Sequence, residues 1–183
     1  NKIVGNKKKG YYYVDKSGVR VTTKEIKMAV AFVMKNSSVK QSPQERLKSC
    51  FWTLCNHYPY QRIISDVPSA GKIPSYAAYM FQNKRGNCYR YASSMAYIAR
   101  VLGYESRVAV GGVSSSTYFS PHGWCEVKKD GKWKMYDCSI QAAYPQKQLY
   151  QIDRKAYPFR LRIDRVYNMK SKNGKISFRK TEE

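Results

Sequence analysis

A change in hydrophobic periodicity after Gly103 constrains the fold more than any other feature of this sequence. From Cys88 to Leu102, apolar residues recur every three or four positions, which is helical spacing, and Gly103 is a typical helix stop. From Ser106 to Val113 the period falls to two, which indicates a strand. Helical patterns dominate before this point and strand patterns after it. The sequence therefore predicts an α+β domain, with N-terminal helices packed on a mostly antiparallel sheet.

Three more helices are predicted upstream of Cys88. Thr23 can cap a helix that continues to about residue 34, and the nearly continuous apolar residues predict that this helix is buried. The pair Ser42–Pro43 is a clear helix start, and the helix that follows should end before Pro59. A short third helix is expected after Pro74.

The residues after Gly103 predict two hairpins. Segments 123–128 and 132–136 are strand-like and flank K-K-D-G, a tight-turn sequence. Segments 160–167 and 176–178 flank a K-N-G turn and predict the second hairpin. Residues 141–158 show no clear period, so we expect them to be irregular.

The first 23 residues form a separate unit in this interpretation. Residues 1–9 are rich in lysine, and we expect them to be frayed. In residues 10–22, two β-prone segments flank D-K-S-G and predict an aromatic hairpin. The stretch weakly resembles the aromatic hairpin repeats of Gram-positive cell-wall-binding modules. For a single copy, however, a hairpin packed on the edge of the domain is the favoured interpretation. We divide the chain into a basic tail with a hairpin at 1–23 and one domain at 24–183.

The net charge limits the kinds of partner that the chain can have. The sequence contains 34 Lys and Arg against 12 Asp and Glu, a formal net charge of +22. Such a field favours polyanions, and anionic cell-wall or surface polymers, acidic membrane surfaces and nucleic acid all qualify. Nucleic acid is the less favoured partner, because no nucleic-acid-binding motif is present and most of the lysines are scattered. No apolar run is long enough for a transmembrane segment.

Cysteine and histidine spacing gives no indication of a metal site. Neither Cys-x-x-Cys nor His-x-x-x-His occurs, and there is no glycine-rich phosphate loop, so no metal or cofactor is predicted. The five cysteines are odd in number and do not form the pattern of a disulfide framework. We expect most or all of them to be reduced.

Cys88 has the local setting of a nucleophile. It follows Gly86 and opens a predicted helix, where the positive end of the helix dipole favours a thiolate. The glycine permits a close approach of the backbone to a substrate, and the N–H of Cys88 can point at a developing oxyanion. Taken alone, a buried core cysteine is an equally good interpretation.

His122 and Asp137 supply the imidazole and the carboxylate that an activated cysteine needs. If the K-K-D-G turn is centred near residues 129–130, His122 lies directly opposite Asp137, with Cβ atoms about 4.5–5.5 Å apart. The same register pairs Cys125 with Lys134. A slip of one residue would break the arrangement. Each residue alone has a structural explanation, but the three together favour a catalytic triad.

Several motifs in this region resemble the core of the transglutaminase-like superfamily, whose enzymes share the papain-like fold. The motifs are G-N-C-Y-R-Y-A, L-G-Y-E-S-R-V, H-G-W-C-E-V and W-K-M-Y-D, and the resemblance covers roughly residues 45–140. It implies a papain-like or transglutaminase-core fold, with a transglutaminase-like catalytic domain at 24–183. It assigns Cys88 as the nucleophile, His122 as the general base and acid, and Asp137 as the acid that orients the imidazole.

The same resemblance suggests further residues of the site. The family uses a second oxyanion donor upstream, and N-H-Y-P-Y nominates Tyr58 for this role, with Tyr60 behind it; a packing tyrosine is the alternative. Trp124 matches the family's tryptophan after the histidine, as a wall of the site or a core residue.

The resemblance implies a cysteine-dependent enzyme that acts on protein or peptide amide and acyl bonds through a thioester acyl-enzyme. Peptidase or amidase activity is slightly favoured over protein-glutamine acyl transfer, because hydrolysis needs only water. The alternative is a basic, non-catalytic protein that binds polyanions, either a cell-wall polymer or nucleic acid. The charge is also compatible with a secreted bacterial protein held at the cell surface.

Overall fold

The computed structural model describes residues 1–181. Within them the elements run, in chain order, as β1 (Lys2–Asn6), β2 (Gly10–Val14), α1 (Lys24–Asn36), α2 (Pro43–His57), α3 (Ile73–Asn83), α4 (Cys88–Val101), β3 (Ser106–Ser114), β4 (Ser120–Lys129), β5 (Lys132–Tyr136), α5 (Cys138–Ala143), β6 (Tyr150–Ile152), a 3-10 turn (Arg154–Ala156), β7 (Arg160–Lys172) and β8 (Lys175–Thr181). No helix in this part of the chain has both the length and the apolar character that a membrane crossing demands.

The helix predictions are confirmed, and the caps explain where two of the helices begin. The Thr23 side chain accepts a hydrogen bond from the Ile26 N–H at the start of α1. Ser42 and Glu45 form a capping box at the start of α2, so two otherwise unpaired N–H groups are satisfied. Every residue of α4 is buried, which makes this helix the centre of the domain.

The main sheet has six strands in the order β6-β5-β4-β3-β7-β8, and all of its described pairings are antiparallel. Side chains alternate between two cores, as the period of two requires. Val108, Val110 and Cys125 join the larger core that contains the helices, whereas Ala109 and Trp124 belong to a smaller cluster on the other face. The predicted α+β architecture is therefore confirmed.

The β4–β5 hairpin forms, but its predicted register is wrong by two residues. The turn residues are Asp130 and Gly131, and Cys125 pairs with Tyr136 rather than with Lys134. Both turn residues have positive φ, 49° and 77°, as a two-residue turn that matches the twist of a hairpin requires. Because side chains alternate with a period of two, a shift of two residues leaves each side chain on its expected face.

Two other expectations are wrong. Residues 1–9 are not frayed, because β1 pairs with β2 along its whole length. In the predicted hairpin of residues 10–22, an isolated bridge between Val14 and Arg20 flanks the D-K-S-G turn, and β2 has β1 as its strand partner within residues 1–181. Residues 141–158 are not simply irregular, because they contain the end of α5, all of β6 and the 3-10 turn. β1 is held by pairing with the next strand and β6 by pairing with β5, and neither pairing follows from the pattern of the segment alone.

Candidate active site

Cys88 is the first residue of α4 and lies at the centre of the candidate site. Asn87 caps the helix by accepting a hydrogen bond from the Arg90 N–H, and Cys88 is 7% exposed. The preceding Gly86 has no room for a side chain, because an added Cβ would lie 2.7 Å from the Arg90 Cβ. Gly86 also accepts a hydrogen bond from the Gln61 N–H at 2.8 Å. This contact brings the segment that follows α2 alongside the nucleophile.

His122 reaches the site because β4 packs very closely against α4. The next residue, Gly123, has the Tyr89 ring so near that an added Cβ would lie 2.7 Å from the ring carbon Cδ1. On β3, the residue opposite His122 is Gly111. The imidazole is 3% exposed, and the Cys88 side chain lies near enough to raise its pKa. The glycine next to the histidine thus lets β4 approach α4 closely, which brings the imidazole near Cys88.

Asp137 lies just beyond β5 and caps α5. His122 Nε2 donates to Asp137 Oδ2 at 2.7 Å, so the pairing that was predicted from the sequence does form. In the observed register Asp137 is a diagonal neighbour of His122 and not its direct partner. The other carboxylate oxygen, Oδ1, accepts from the Ile140 N–H at 3.1 Å and from the Ser139 hydroxyl at 3.2 Å. The carboxylate is therefore fixed by the helix as well as by the imidazole.

The charges of this pair support each other. Burial lowers the pKa of His122, but the Asp137 carboxylate and the Cys88 side chain outweigh it and raise the pKa to about 10. Burial raises the pKa of Asp137, but the charge and hydrogen bond of His122 outweigh it, so the pKa of the carboxyl lies below its ordinary value. At neutral pH the ring is an imidazolium that faces a carboxylate through Nε2. Its other nitrogen, Nδ1, remains for the sulfur.

Tyr157 is a member of the site that sequence reasoning missed. Its hydroxyl donates to Asp137 Oδ2 at 2.6 Å, and the residue is 7% exposed. Burial, together with the negative charge of Asp137, raises the pKa of the Tyr157 hydroxyl, which keeps it a donor. It comes from the segment predicted to be irregular, where no motif or period singles out one tyrosine among 17.

Of the two tyrosines proposed as oxyanion donors, only Tyr60 is brought to Cys88. Tyr60 lies near enough to Cys88 that the charge of Cys88, together with partial burial, raises the pKa of the Tyr60 hydroxyl. The Tyr60 ring stacks on that of Tyr91, with centroids 6.4 Å apart. The ring of Tyr58 instead packs edge-on against Phe32 of α1, with centroids 5.5 Å apart. Of the two, Tyr60 is therefore the one that lies near Cys88.

Trp124 forms a wall of the site and connects it to a buried anion. Its ring stacks beside that of His122, with centroids 6.0 Å apart, and its Nε1 donates to Glu126 Oε1 at 2.8 Å. Glu126 is 1% exposed and pairs with Arg107 and Arg154, each at 2.6 Å. Burial raises the pKa of Glu126, but the two guanidinium groups outweigh it and lower the pKa. No sequence pattern indicates this network, because its members lie on three separate segments.

All five cysteines are free thiols, and all are buried. Cys88 is the one that lies beside an imidazole. The Cys55 thiol donates to the Cys138 carbonyl at 3.5 Å, and burial raises the pKa of Cys125 and of Cys138 well above the ordinary value. These four cysteines have the surroundings of structural core residues.

Comparisons with solved structures agree on the fold. A crystal structure of a TGase is similar over 74% of this chain and 37% of its own, with 19% identity and a TM-score of 0.51. The periplasmic domain of TgpA from Pseudomonas aeruginosa is similar over 68% of this chain and 46% of its own, with 14% identity and a TM-score of 0.51. The chain thus spans less than half the length of either structure. No curated protein sequence matches it.

A family model extends the comparison to the sequence itself. The model described as transglutaminase-like superfamily matches residues 31–138, which include Cys88, His122 and Asp137 and make up more than half of the chain. The predicted resemblance and the predicted papain-like fold class are both confirmed. The chain belongs to the transglutaminase-like superfamily.

Proposed function

We propose that this protein is a cysteine-dependent enzyme that acts on amide or acyl bonds through Cys88, His122 and Asp137. The observation that carries the proposal is the chain of contacts from the Cys88 side chain to His122 and from His122 Nε2 to Asp137 Oδ2. The superfamily includes cysteine peptidases and acyltransferases, so both reactions are within its chemistry. The three side chains have the order and the burial that nucleophilic catalysis requires.

In the first half-reaction, the Cys88 thiolate adds to the carbonyl carbon of the substrate. The electrons of the carbonyl double bond move to oxygen, and the resulting oxyanion accepts hydrogen bonds from the Cys88 N–H and from the Tyr60 hydroxyl. When the tetrahedral intermediate collapses, the bond to the amine breaks, and the amine takes a proton from the His122 imidazolium. A thioester on Cys88 remains, and the imidazole is neutral.

In the second half-reaction, neutral His122 removes a proton from the incoming nucleophile. Water gives hydrolysis, and a primary amine gives acyl transfer; in both cases the thiolate leaves and the imidazolium is restored. Asp137 stabilises the imidazolium and holds the orientation of the ring throughout. We favour a peptidase or amidase over a protein-glutamine acyltransferase, because hydrolysis requires only that water enter the site.

A glutamine peptide distinguishes these reactions by mass. The protein is incubated with the peptide, with and without a primary amine, and the products are analysed by mass spectrometry. Deamidation, amine incorporation and backbone cleavage each give a different mass change. We expect a change with the native chain and none with Cys88→Ala. Cys55→Ser is the matched control, because it replaces a buried thiol away from the imidazole and keeps a donor for the Cys138 carbonyl.

A thiol-reactive probe tests the nucleophile when the natural substrate is unknown. An iodoacetamide-type or peptide-aldehyde probe should modify the native chain and the Cys55→Ser variant at Cys88. The Cys88→Ala variant should stay unmodified. Equal labelling of all three proteins would remove the proposal and would leave a basic, non-catalytic protein as the alternative. We also propose that the protein acts outside the cell or at its surface, where its charge would hold it on anionic polymers.

A further inference from the structure

A basic cavity lies at the end of α4 that is remote from Cys88. It has a volume of about 500 Å³, and six of its eleven lining residues are lysine or arginine. The six are Lys16, Arg100, Lys170, Lys172, Lys175 and Arg179. Arg100 follows Cys88 by twelve residues on the same helix, and a rise of 1.5 Å per residue separates them by about 18 Å. The cavity is therefore distinct from the candidate active site.

Arg100 is a buried cation with an unused donor. It lines the cavity and is 4% exposed. Its Nη2 donates to the Met169 carbonyl at 2.7 Å. Its Nε–H has no acceptor within residues 1–181. A buried guanidinium with a free N–H favours an oxyanion, because the planar fork matches carboxylate and phosphate geometry.

Two turns from opposite ends of the chain form the mouth of this cavity. Asp15 Oδ2 accepts from the Gly174 N–H at 2.7 Å, which holds the turn after β2 against the turn between β7 and β8. Its other oxygen accepts from the Ser17 and Val19 N–H groups at 2.8 and 3.1 Å. The Asp15 carboxylate is thus occupied by backbone donors. It brings together two basic segments that would otherwise repel each other.

The single acidic lining residue does not neutralise the cavity. Glu105 is half-exposed, and its carboxylate lies 3.7 Å from the Lys128 ammonium group, which is outside the lining. The lining of the cavity therefore carries a net positive charge, with six cationic side chains against one carboxylate. Such a concave basic surface concentrates anions.

We propose that this cavity binds phosphate groups of an anionic polymer that carries no bases, such as a poly(glycerol phosphate). Proteins that bind single-stranded nucleic acid combine a basic groove with aromatic side chains on which bases stack. None of the eleven residues that line the cavity is aromatic. The lining instead combines lysine, arginine and serine, which are suited to phosphate oxygens. The site would hold the enzyme on such a polymer without occupying the cleft at Cys88.

The experiment compares two double variants that remove the same charge. Lys172→Gln with Lys175→Gln removes two exposed cations at the cavity, and Lys35→Gln with Lys40→Gln removes two exposed cations elsewhere. Binding of a fluorescently labelled poly(glycerol phosphate) is measured by anisotropy over a series of salt concentrations. We expect the cavity variant to bind roughly tenfold more weakly, since each exposed ion contact contributes a few-fold. The slope of log K against log salt should also fall, by roughly one for each lost phosphate contact.

The proposal also predicts the response of the buried cation. Arg100→Lys keeps the charge but removes the planar fork, so we expect weaker polymer binding with the fold retained, as checked by circular dichroism. Equal weakening of the cavity and control double variants would overturn the proposal, because diffuse charge would then explain the binding. Tighter binding of an oligonucleotide of matched charge would overturn the assignment to a polymer without bases. Neither result bears on the reaction at Cys88.

Discussion

Changing Tyr157 to Phe removes one oxygen atom from the site and leaves the ring in place. The lost hydroxyl donates to Asp137 Oδ2 at 2.6 Å, between side chains that are almost fully buried. A hydrogen bond to a charged group contributes about 1.5–3 kcal/mol to stability. We therefore expect the free energy of unfolding at neutral pH to fall by about this amount. For a chain of this size, each kcal/mol corresponds to a melting temperature about 2–4 °C lower.

The activity of the Tyr157→Phe variant should decrease less than that of a variant without the carboxylate. Asp137 keeps its bonds to the Ile140 N–H and the Ser139 hydroxyl, so it still reaches the imidazole. We expect kcat/KM to fall by less than the roughly 10²-fold that removal of acid–base catalysis costs. Tyr157 is thus a positioning residue, and its loss should affect stability more than it affects turnover.

The pH dependence gives a second readout. The pKa of Asp137 is below its ordinary value, and the hydrogen bond from Tyr157 contributes to the lowering. The stability due to the Asp137 carboxylate is present above its unfolded pKa of about 3.9 and is lost as the pH falls through the lower folded value. Tyr157→Phe brings the folded value closer to the unfolded one. Acid unfolding should therefore begin at a higher pH in the variant.

The assay is urea denaturation followed by tryptophan fluorescence, with Tyr144→Phe as the control. Tyr144 contacts the same Phe159 ring as Tyr157 but is 41% exposed. The control should change the free energy of unfolding by no more than about 0.5 kcal/mol. If the two variants lose equal stability, or if Tyr157→Phe loses none, the hydrogen bond from Tyr157 to Asp137 does not stabilise the site.

Three further predictions test the site and its surroundings. Tyr60→Phe removes a proposed oxyanion donor and should lower kcat by up to about 10²–10³-fold. Tyr58→Phe is the control and should leave kcat unchanged. Equal rates in the two variants would contradict the assignment of Tyr60. Asp137→Asn should shift the alkaline limb of the kcat/KM profile to a pH below 10, because the carboxylate raises the pKa of the imidazole to about 10. A limb that stays at the same pH would refute this cause. Gly111→Ala would place a methyl group against the Arg162 carbonyl oxygen of β7 and should lower the melting temperature. Gly71→Ala is the control and should leave the melting temperature unchanged, because its methyl group would meet open space.

Around the nucleophile, the start of a helix can be predicted from the sequence, but the identity of the neighbouring tyrosine cannot. The start of α4 could be placed at Cys88 because G-N-C and the apolar period after it are local signals. The choice between Tyr58 and Tyr60 could not be made in this way. It depends on the hydrogen bonds of the segment after α2 with Gly86, a contact between residues about 25 positions apart.

The meeting of His122 and Asp137 was predicted for a reason that was only partly correct. The assumed turn was one residue too early, which shifted the register by two. The prediction of the pair was still correct, because a two-residue shift keeps both side chains on the same face and turns a direct pair into a diagonal one. If the assumed register had been wrong by one residue, His122 and Asp137 would lie on opposite faces of the hairpin.

The sequence by itself determined the four longer helices, five strands of the main sheet, the order of these elements, and the three side chains that the family motifs carry. Helix caps, hydrophobic periods and turn residues act over a few positions, so a single chain reveals them without knowledge of its neighbours. Only the tertiary structure decided the other contacts around the site and the cavity: Tyr157 on Asp137, Arg107 and Arg154 on Glu126, and a cluster of lysines around Arg100. Each of these joins segments far apart in the chain, and such contacts follow from how helices and sheet pack rather than from local pattern.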